Sequence, residues 1–159
     1  MAEYLIRDAK AADREALGVL WSDLMHHHRS LDSRFSIAPD ARTKYVRHIQ
    51  ELMRSRDARV IVAQDTDAGV LVGYVVGELQ DRPPIAMPGR YGFISDIYVA
   101  PEWRRLGVGR GLFATMKRLF VDRRATAIEL YTANANPAAV QFWKEMGLEP
   151  FLTLTHLDL

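Results

Sequence analysis

The chain has 159 residues, of which 48% are hydrophobic and 26% charged, with a formal net charge of +1 and no cysteine. This length and composition predict a single globular domain over residues 1–159. The lack of cysteine excludes disulfide bonds and a thiolate nucleophile, and the balanced charge argues against a nucleic-acid-binding surface. The sequence has no apolar run long enough to cross a bilayer and no apolar signal region near Met1. We therefore expect a cytoplasmic protein without membrane contact.

Hydrophobic periodicity predicts the element order β-α-α-β-β-β-α-β-α-β. The first half is expected to contain a strand at 3–7, a helix capped by Asp13, a connector to residue 40, a helix at 41–54, and hairpin strands at 59–64 and 70–79. The proline-rich segment 82–90 is predicted to be a loop. The second half is expected to contain a strand at 91–99, a helix from Val108, a strand at 128–132, a helix capped by Asn136, and a final strand at 151–159. This alternation fits a mixed sheet with helices on both faces.

A glycine-rich segment, Arg104-Arg105-Leu106-Gly107-Val108-Gly109-Arg110-Gly111, lies where the strand at 91–99 gives way to a helix. Free amides and the positive end of the helix dipole meet at such a junction, and glycine lets a bulky anion approach the backbone. The guanidinium groups of the same segment suit phosphate oxygens. The segment therefore predicts a pyrophosphate site, with a helix start that serves packing alone as the alternative. Its spacing matches neither a P-loop nor the dinucleotide fingerprint.

A second segment follows the strand at 128–132, and its Asn136-Pro137 pair and Gly147 mark the beginning and end of a helix. Together, the two segments resemble the GNAT superfamily of acyl-CoA-dependent N-acyltransferases. Motif A of that family, Q/R-x-x-G-x-G/A, is matched by Arg104, Gly107 and Gly109. Motif B, N-x-x-A-x-x-F/L-Y-x-x-x-G-F/L, is matched by Asn136, Ala139, Phe142, Gly147 and Leu148, but Trp143 replaces its tyrosine.

The resemblance implies an α/β (α+β) fold with a mixed, mostly antiparallel central sheet of about seven strands, helices on both faces, and a V-shaped splay between the fourth and fifth strands. It also implies transfer of an acetyl group from acetyl-CoA to a primary amine of a small molecule or protein, by direct attack in a ternary complex and without a metal. The alternatives are a catalytically impaired acyl-CoA-binding or sensing module and a nucleotide-binding protein with no CoA role. Relatives commonly form homodimers through their last strands, so a homodimer stays open for this chain.

The resemblance assigns the cofactor-binding residues to three groups. The main-chain groups of Ile97, Tyr98 and Val99 would pair with the amides of pantetheine. The pyrophosphate would lie on the segment formed by Arg104, Arg105, Leu106, Gly107, Val108, Gly109, Arg110 and Gly111. Asn136 and Trp143 would approach the pantetheine and the acyl arm from the opposite side.

Catalysis needs a base, because an amine is protonated near neutral pH and cannot attack in that form. Asp96 is the candidate, since it lies on the strand that leads into the glycine-rich segment, and a hydrogen-bonded strand acid with no catalytic role is the alternative. Strict strand alternation would place Ser95 and Asp96 on opposite faces. In many relatives the motif B tyrosine protonates the leaving thiolate, which the indole of Trp143 cannot do.

The acceptor pocket is walled by the first two helices in the family, so one of His26, His27 and His28 is expected to border it. Three adjacent histidines point to different faces of a helix and therefore predict no metal site. Arg82 and Arg90, at the ends of the proline-rich loop, would favour an anionic acceptor such as an amino acid.

Overall fold

The computed structural model describes residues 3–83, 85 and 89–158, so residues 84 and 86–88 of the predicted loop lie outside the described residues. The strands are β1 (Tyr4–Asp8), β2 (Ala58–Asp65), β3 (Leu71–Asp81), β4 (Arg90–Val99) and β5 (Ile128–Leu130). The α-helices are α1 (Arg14–Leu31), α2 (Ala41–Arg54), α3 (Val108–Asp122) and α4 (Pro137–Glu145), with short 3-10 helices at Ala11–Asp13 and Pro101–Trp103.

The strands form one sheet in the order β1-β2-β3-β4-β5. The first three pairings are antiparallel, whereas β4 and β5 run parallel. The predicted mixed, mostly antiparallel sheet is therefore confirmed. The expected number of strands, about seven, is wrong for the described residues, which form five.

The strand predicted at 151–159 does not form over residues 151–158. The apolar side chains of this segment, Phe151, Leu152, Leu154 and Leu157, are 77–83% exposed. A strand is stabilised by cross-strand neighbours, and the outer strand β5 is only three residues long. The segment thus has the composition of a strand but lacks a partner edge in this structure.

Capping residues set the ends of the helices much as the sequence predicts. Helix α2 begins at Ala41 and ends at Arg54, the two predicted bounds. Helix α4 begins directly after Asn136, whose side-chain oxygen accepts a hydrogen bond from the amide of Ala139 at 3.1 Å. Gly147 follows α4 with a φ of +86°, the left-handed conformation that ends many helices.

Asp13 precedes α1 as predicted, but its carboxylate does not cap that helix. It accepts hydrogen bonds from the Arg7 guanidinium at 2.7 and 3.0 Å and from the Lys10 amide at 2.6 Å. Burial alone would raise the pKa of Asp13, but these hydrogen bonds and the charges of Arg7 and Lys10 hold it below its usual value. The ion pair between Arg7 and Asp13 joins β1 to the beginning of α1, and its two side chains are only 16% and 11% exposed.

The sheet separates two hydrophobic cores, because alternate residues of the central strands point to opposite faces. One core joins α1 and α2 to the face of the sheet formed by Val60, Val62, Tyr74, Val76 and Tyr98. The other joins α3 and α4 to the face formed by Ile61, Ala63, Val72, Val75 and Ile94. Each pair of helices therefore has its own core.

A bulge interrupts the alternation in β4. Val76 pairs with Asp96 and Gly77 pairs with Ile94, so Ser95 is an extra residue on β4. In a regular strand without the bulge, Ile94 and Asp96 would point to the same face of the sheet. Instead, Ile94 packs into the core under α3, whereas Asp96 faces α2. The expectation of regular alternation through Ser95 and Asp96 is wrong for this reason.

Candidate active site

The pairing of β4 with β5 stops part of the way along β4. Their pairing ends at Ile94 and Leu130, although β4 continues to Val99. The main chain of the last five residues of β4 therefore has β3 on one side and, among the described residues, no paired strand on the other. This edge contains Ile97, Tyr98 and Val99, the residues expected to meet pantetheine. One of its acceptors is already used, because the Val99 carbonyl accepts a hydrogen bond from Nε of Arg104 at 2.9 Å.

The glycine-rich segment lies directly beyond this edge and forms the beginning of α3. Arg105 and Gly107 have φ angles of +64° and +86°, and Gly107 occupies the N-cap of α3 without a capping side chain. The first amides of α3, beginning with Val108, therefore have no intrahelical partner. Left-handed residues next to helical ones turn successive amides toward one point, which is the geometry of an anion-binding nest.

A side chain would have a different effect at each of the three glycines of this segment. Gly107 has a positive φ, which side chains rarely tolerate. A Cβ on Gly111 would lie 2.5 Å from Cδ1 of Ile6, so Gly111 lets α3 pack against β1. A Cβ on Gly109 would lie 3.4 Å from Phe142 and 3.7 Å from Val99, which are ordinary contacts. Neither strain nor packing therefore requires a glycine at 109.

The arginines of the segment differ in their engagement. Arg104 lies over the ring of Tyr98, with 5.6 Å between its guanidinium carbon and the ring centroid. Arg110 forms an ion pair with Glu145 of α4 at 2.6 Å. Arg105 is exposed and has no ion-pair partner within residues 3–83, 85 and 89–158. Arg105 is thus the guanidinium that is free to meet an anion.

The motif B helix borders the same region. Asn136 is buried and its oxygen is committed to the cap of α4. Trp143 is 7% exposed and packs edge-on against Phe113 and Phe142, with ring centroids 5.6 and 4.9 Å away. Trp143 therefore contributes to the core between α3 and α4, and a contact of its ring with an acyl arm stays a prediction.

On the opposite face of β4, Asp96 belongs to a cluster of aromatic side chains. The hydroxyl of Tyr45, on α2, donates a hydrogen bond to Oδ2 of Asp96 at 3.0 Å. Trp21, on α1, stacks on Tyr45 with 4.5 Å between centroids and 12° between planes. The hydroxyl of Tyr74 is fully buried beneath them and has no hydrogen-bond partner among the described residues.

Burial dominates the electrostatics of this aromatic–acid cluster. It raises the pKa of Asp96 above its usual value, and the Tyr45 hydrogen bond and nearby His48 only partly oppose that effect. Burial and the charge of Asp96 raise the pKa of Tyr45 as well. Tyr45 therefore stays a protonated donor, while Asp96 is a stronger base than a solvated carboxylate. A partly buried carboxylate with a raised pKa and one fixed donor is suited to accepting a proton.

The sequence indicates Asp96 as the candidate base but not the side chains that surround it. Tyr45 belongs to the apolar stripe of α2 and Trp21 to that of α1, a pattern that indicates core positions. A signal was present, because Tyr45 is a hydroxyl-bearing ring in a stripe whose other members are Ile49, Leu52 and Met53. Its partner could not be read from the sequence, since the bulge decides which face Asp96 occupies.

The two arginines expected to attract an anionic acceptor are engaged elsewhere. Arg82 forms an ion pair with Glu129 of β5. Arg90 pairs with Asp81 at 3.1 Å and lies 3.6 Å from Asp57. Neither guanidinium is a free anion site in this arrangement.

Within the described ranges, no group of three or more His, Asp or Glu side chains is arranged to hold a metal ion. The helices of the same ranges include none that is both long and apolar enough to span a membrane.

Comparison with known families and structures agrees with this geometry. Residues 21–148 match the family described as Acetyltransferase (GNAT) family. That range includes α1 from Trp21 onward, β4, the glycine-rich segment and α4, and so elements on both faces of the sheet.

Solved structures share the fold at low sequence identity. A mutant of the BH1408 protein from Bacillus halodurans has a TM-score of 0.88 and 22% identity, over 98% of this chain and 99% of that one. The aminoglycoside N-acetyltransferase AAC(6')-Iy in complex with CoA has a TM-score of 0.77 and 16% identity, over 100% and 96%. Glucosamine-6-phosphate N-acetyltransferase from Arabidopsis thaliana has a TM-score of 0.74 and 14% identity, over 98% of each chain.

Proposed function

Because the chain belongs to the GNAT acetyltransferase family, we propose that it transfers an acetyl group from acetyl-CoA to a primary amine of a small molecule or protein. The observation that carries this proposal is Gly109, which stands in the first turn of α3 beside the unpaired edge of β4 and has no packing reason to be a glycine. An anionic ligand that approaches the amides of α3 closely supplies that reason.

The proposed acetyl-CoA site uses the main chain more than side chains. The edge of β4 at Ile97–Val99 offers amide and carbonyl groups to pantetheine, as an added strand would. The pyrophosphate is assigned to the amides of residues 105–110, with the free guanidinium of Arg105 as its counter-charge. Asn136 borders the pantetheine from α4. Gly109 supports this assignment, because it leaves the first turn of α3 without a side chain where neither strain nor packing requires a glycine.

The proposed chemistry places proton removal at Asp96. Acetyl-CoA, when bound, supplies a thioester carbonyl that a neutral amine can attack. The carboxylate of Asp96 takes a proton from the incoming ammonium, either directly or through a water, and Tyr45 holds the carboxylate in place. When the C–S bond breaks, the nitrogen gives up its second proton to solvent as the amide forms, and solvent protonates the departing thiolate, because the indole of Trp143 is not an acid near neutral pH.

A second candidate function rests on the burial of Trp143. With no phenol at this motif B position and an indole that lies in the core, the chain could bind an acyl-CoA without turning it over. Release of free thiol in the presence of an amine discriminates the two functions, since a sensing module binds acetyl-CoA but releases none.

The test is isothermal titration of acetyl-CoA into the wild type and the Gly109→Glu variant. Ala114→Glu is the control, because Ala114 is exposed on the same helix and adds the same charge elsewhere. We expect binding by the wild type and the control, and a loss of roughly 100-fold or more in Gly109→Glu, where a carboxylate faces the amides meant for the pyrophosphate. A wild type that does not bind acetyl-CoA, or a Gly109→Glu variant that binds it normally, contradicts the proposed site.

A thiol-release assay across amine classes then follows. Turnover of any primary amine supports acetyl transfer. Tight binding without turnover across small-molecule and peptide amines favours the sensing module.

A further inference from the structure

A second cavity, of about 290 Å³, lies between α1, the connector that follows it and the beginning of α2. Its walls are Trp21, Ser22, His26, Arg29, Ile37, Ala38, Pro39 and Arg42. This volume is close to the lower end of the range found for small-molecule sites. The cavity has an apolar floor from the connector and polar groups from the two helices, which is the composition of a ligand site.

The charge of the cavity is positive. Arg29 and Arg42 lie on its wall, and none of its lining residues is acidic. Arg29 has no ion-pair partner in the part of the chain that the structure describes, and Arg42 is 3.8 Å from Glu15, with both side chains at least half exposed. The nearby Asp40 is paired with Lys44 at 3.0 Å.

The beginning of α2 adds to this positive potential. Helix α2 begins at Ala41, so the positive end of its dipole lies at the cavity. His26 also lines the wall, and its Nδ1 donates a hydrogen bond to the Ser22 carbonyl at 2.6 Å.

The cavity is joined to the proposed base through stacked rings. Trp21 forms part of its wall and stacks on Tyr45, and the hydroxyl of Tyr45 donates to Asp96. The cavity and the proposed base therefore lie on the same face of the sheet, with the stacked pair of Trp21 and Tyr45 between them.

The geometry points to an acceptor that carries an anionic group, a carboxylate or a phosphate, bound by Arg29 and Arg42 on the side of the sheet that carries Asp96. This inference rests on the proposed function for the identification of the ligand as the acceptor, whereas the anion site stands on the cavity alone. The positive wall also disfavours polycationic acceptors, because like charges would be brought together without a counter-charge.

The experiment measures binding by titration calorimetry to the protein saturated with CoA. The probes are β-alanine and phosphoethanolamine, which bear an anionic group near the amine, ethanolamine, which bears a neutral hydroxyl, and spermidine. The variants are Arg29→Gln, Arg42→Gln and their combination. Arg47→Gln is the matched control, since Arg47 is exposed on α2 and does not line the cavity.

We expect at least one anionic probe to bind roughly tenfold or more tightly than ethanolamine and spermidine, which corresponds to two guanidinium contacts. That preference should disappear in the double variant and persist in Arg47→Gln. The better of the two anionic probes identifies the anion as a carboxylate or a phosphate.

Equal binding of ethanolamine, tighter binding of spermidine, no binding of any probe, or an unchanged preference in the double variant overturns the inference. Thermal unfolding of each variant, compared with Arg47→Gln, shows whether the fold is intact. Thiol release is recorded separately, so anion-selective binding without turnover refutes acetyl transfer but leaves the anion site standing.

Discussion

Replacing Gly109 with alanine should raise stability and lower acetyl-CoA affinity at once. The new Cβ would make contacts of 3.4 to 3.7 Å with Phe142 and Val99, which involve no overlap. Gly109 does not have a positive φ, so alanine is not strained there. A glycine-to-alanine change at a compatible helical position stabilises by about 0.4–1 kcal/mol, or roughly 1–4 °C in Tm for a chain of this size. The same methyl fills part of the approach to the α3 amides, and we expect acetyl-CoA to bind about tenfold more weakly.

The assay pairs thermal unfolding with calorimetry, and Gly92→Ala is the contrast. A Cβ on Gly92 would lie 2.3–2.5 Å from the ring of Phe120, which is near the end of α3 and far along the helix from its first amides. That overlap should cost about 1–3 kcal/mol of stability with little change in affinity. Normal acetyl-CoA affinity in Gly109→Ala would show that no ligand approaches Gly109. A lower Tm in the same variant would show that the packing around it is tighter than described.

Three further predictions concern the acid cluster, the β1–α1 ion pair and the motif B tryptophan. Asp96→Asn should lower kcat by about 10²–10⁴-fold. Because the raised pKa of Asp96 means that its ionisation destabilises the folded state, the variant should also gain stability relative to the wild type as pH rises through that pKa. Wild-type turnover by the variant, or a lower stability than the wild type at pH 7–8, would contradict the assignment. Asp13→Asn should lower the free energy of unfolding at pH 7 by about 1–3 kcal/mol, since it breaks a largely buried pair with Arg7, and chemical denaturation should show the difference shrinking as pH falls through the lowered pKa of Asp13. Trp143→Phe should keep kcat within a few-fold of the wild-type value, and it should lower the free energy of unfolding by roughly 1–3 kcal/mol because the α3–α4 core loses contacts. A large loss of kcat with an intact fold would mean that the indole N–H acts in the reaction.

The sequence was sufficient for the elements whose signals are local. Proline after Asn136 and glycine at 147 place α4, and the apolar stripe of α2 places both of its ends. The junction at Gly107 is also predicted locally, because a cluster of glycines after an apolar strand indicates that the strand has ended and a turn follows. These features depend on neighbours in the chain, which is what a sequence displays directly.

Features that depend on distant partners were missed. Residues 151–158 have strand composition, but no neighbouring edge pairs with them. The bulge at Ser95 arises from the register between β3 and β4, and a serine at this position does not by itself indicate a bulge. Asp13 binds Arg7 rather than capping α1, because β1 brings a guanidinium within reach. In each case the outcome was set by pairing between elements, not by propensity within one.

The separation of the two cores by the sheet has a consequence for how such a protein can diversify. The proposed acceptor side depends on α1 and α2, and the proposed cosubstrate side depends on α3 and α4, with β4 contributing residues to both cores. Substitutions in one helix pair leave the packing of the other largely undisturbed, since sites without shared contacts behave additively. A lineage built on this arrangement can exchange one amine for another through changes confined to a single face. The packing of the other face is inherited intact, and the central strands β2, β3 and β4, which contribute residues to both cores, have least freedom to vary.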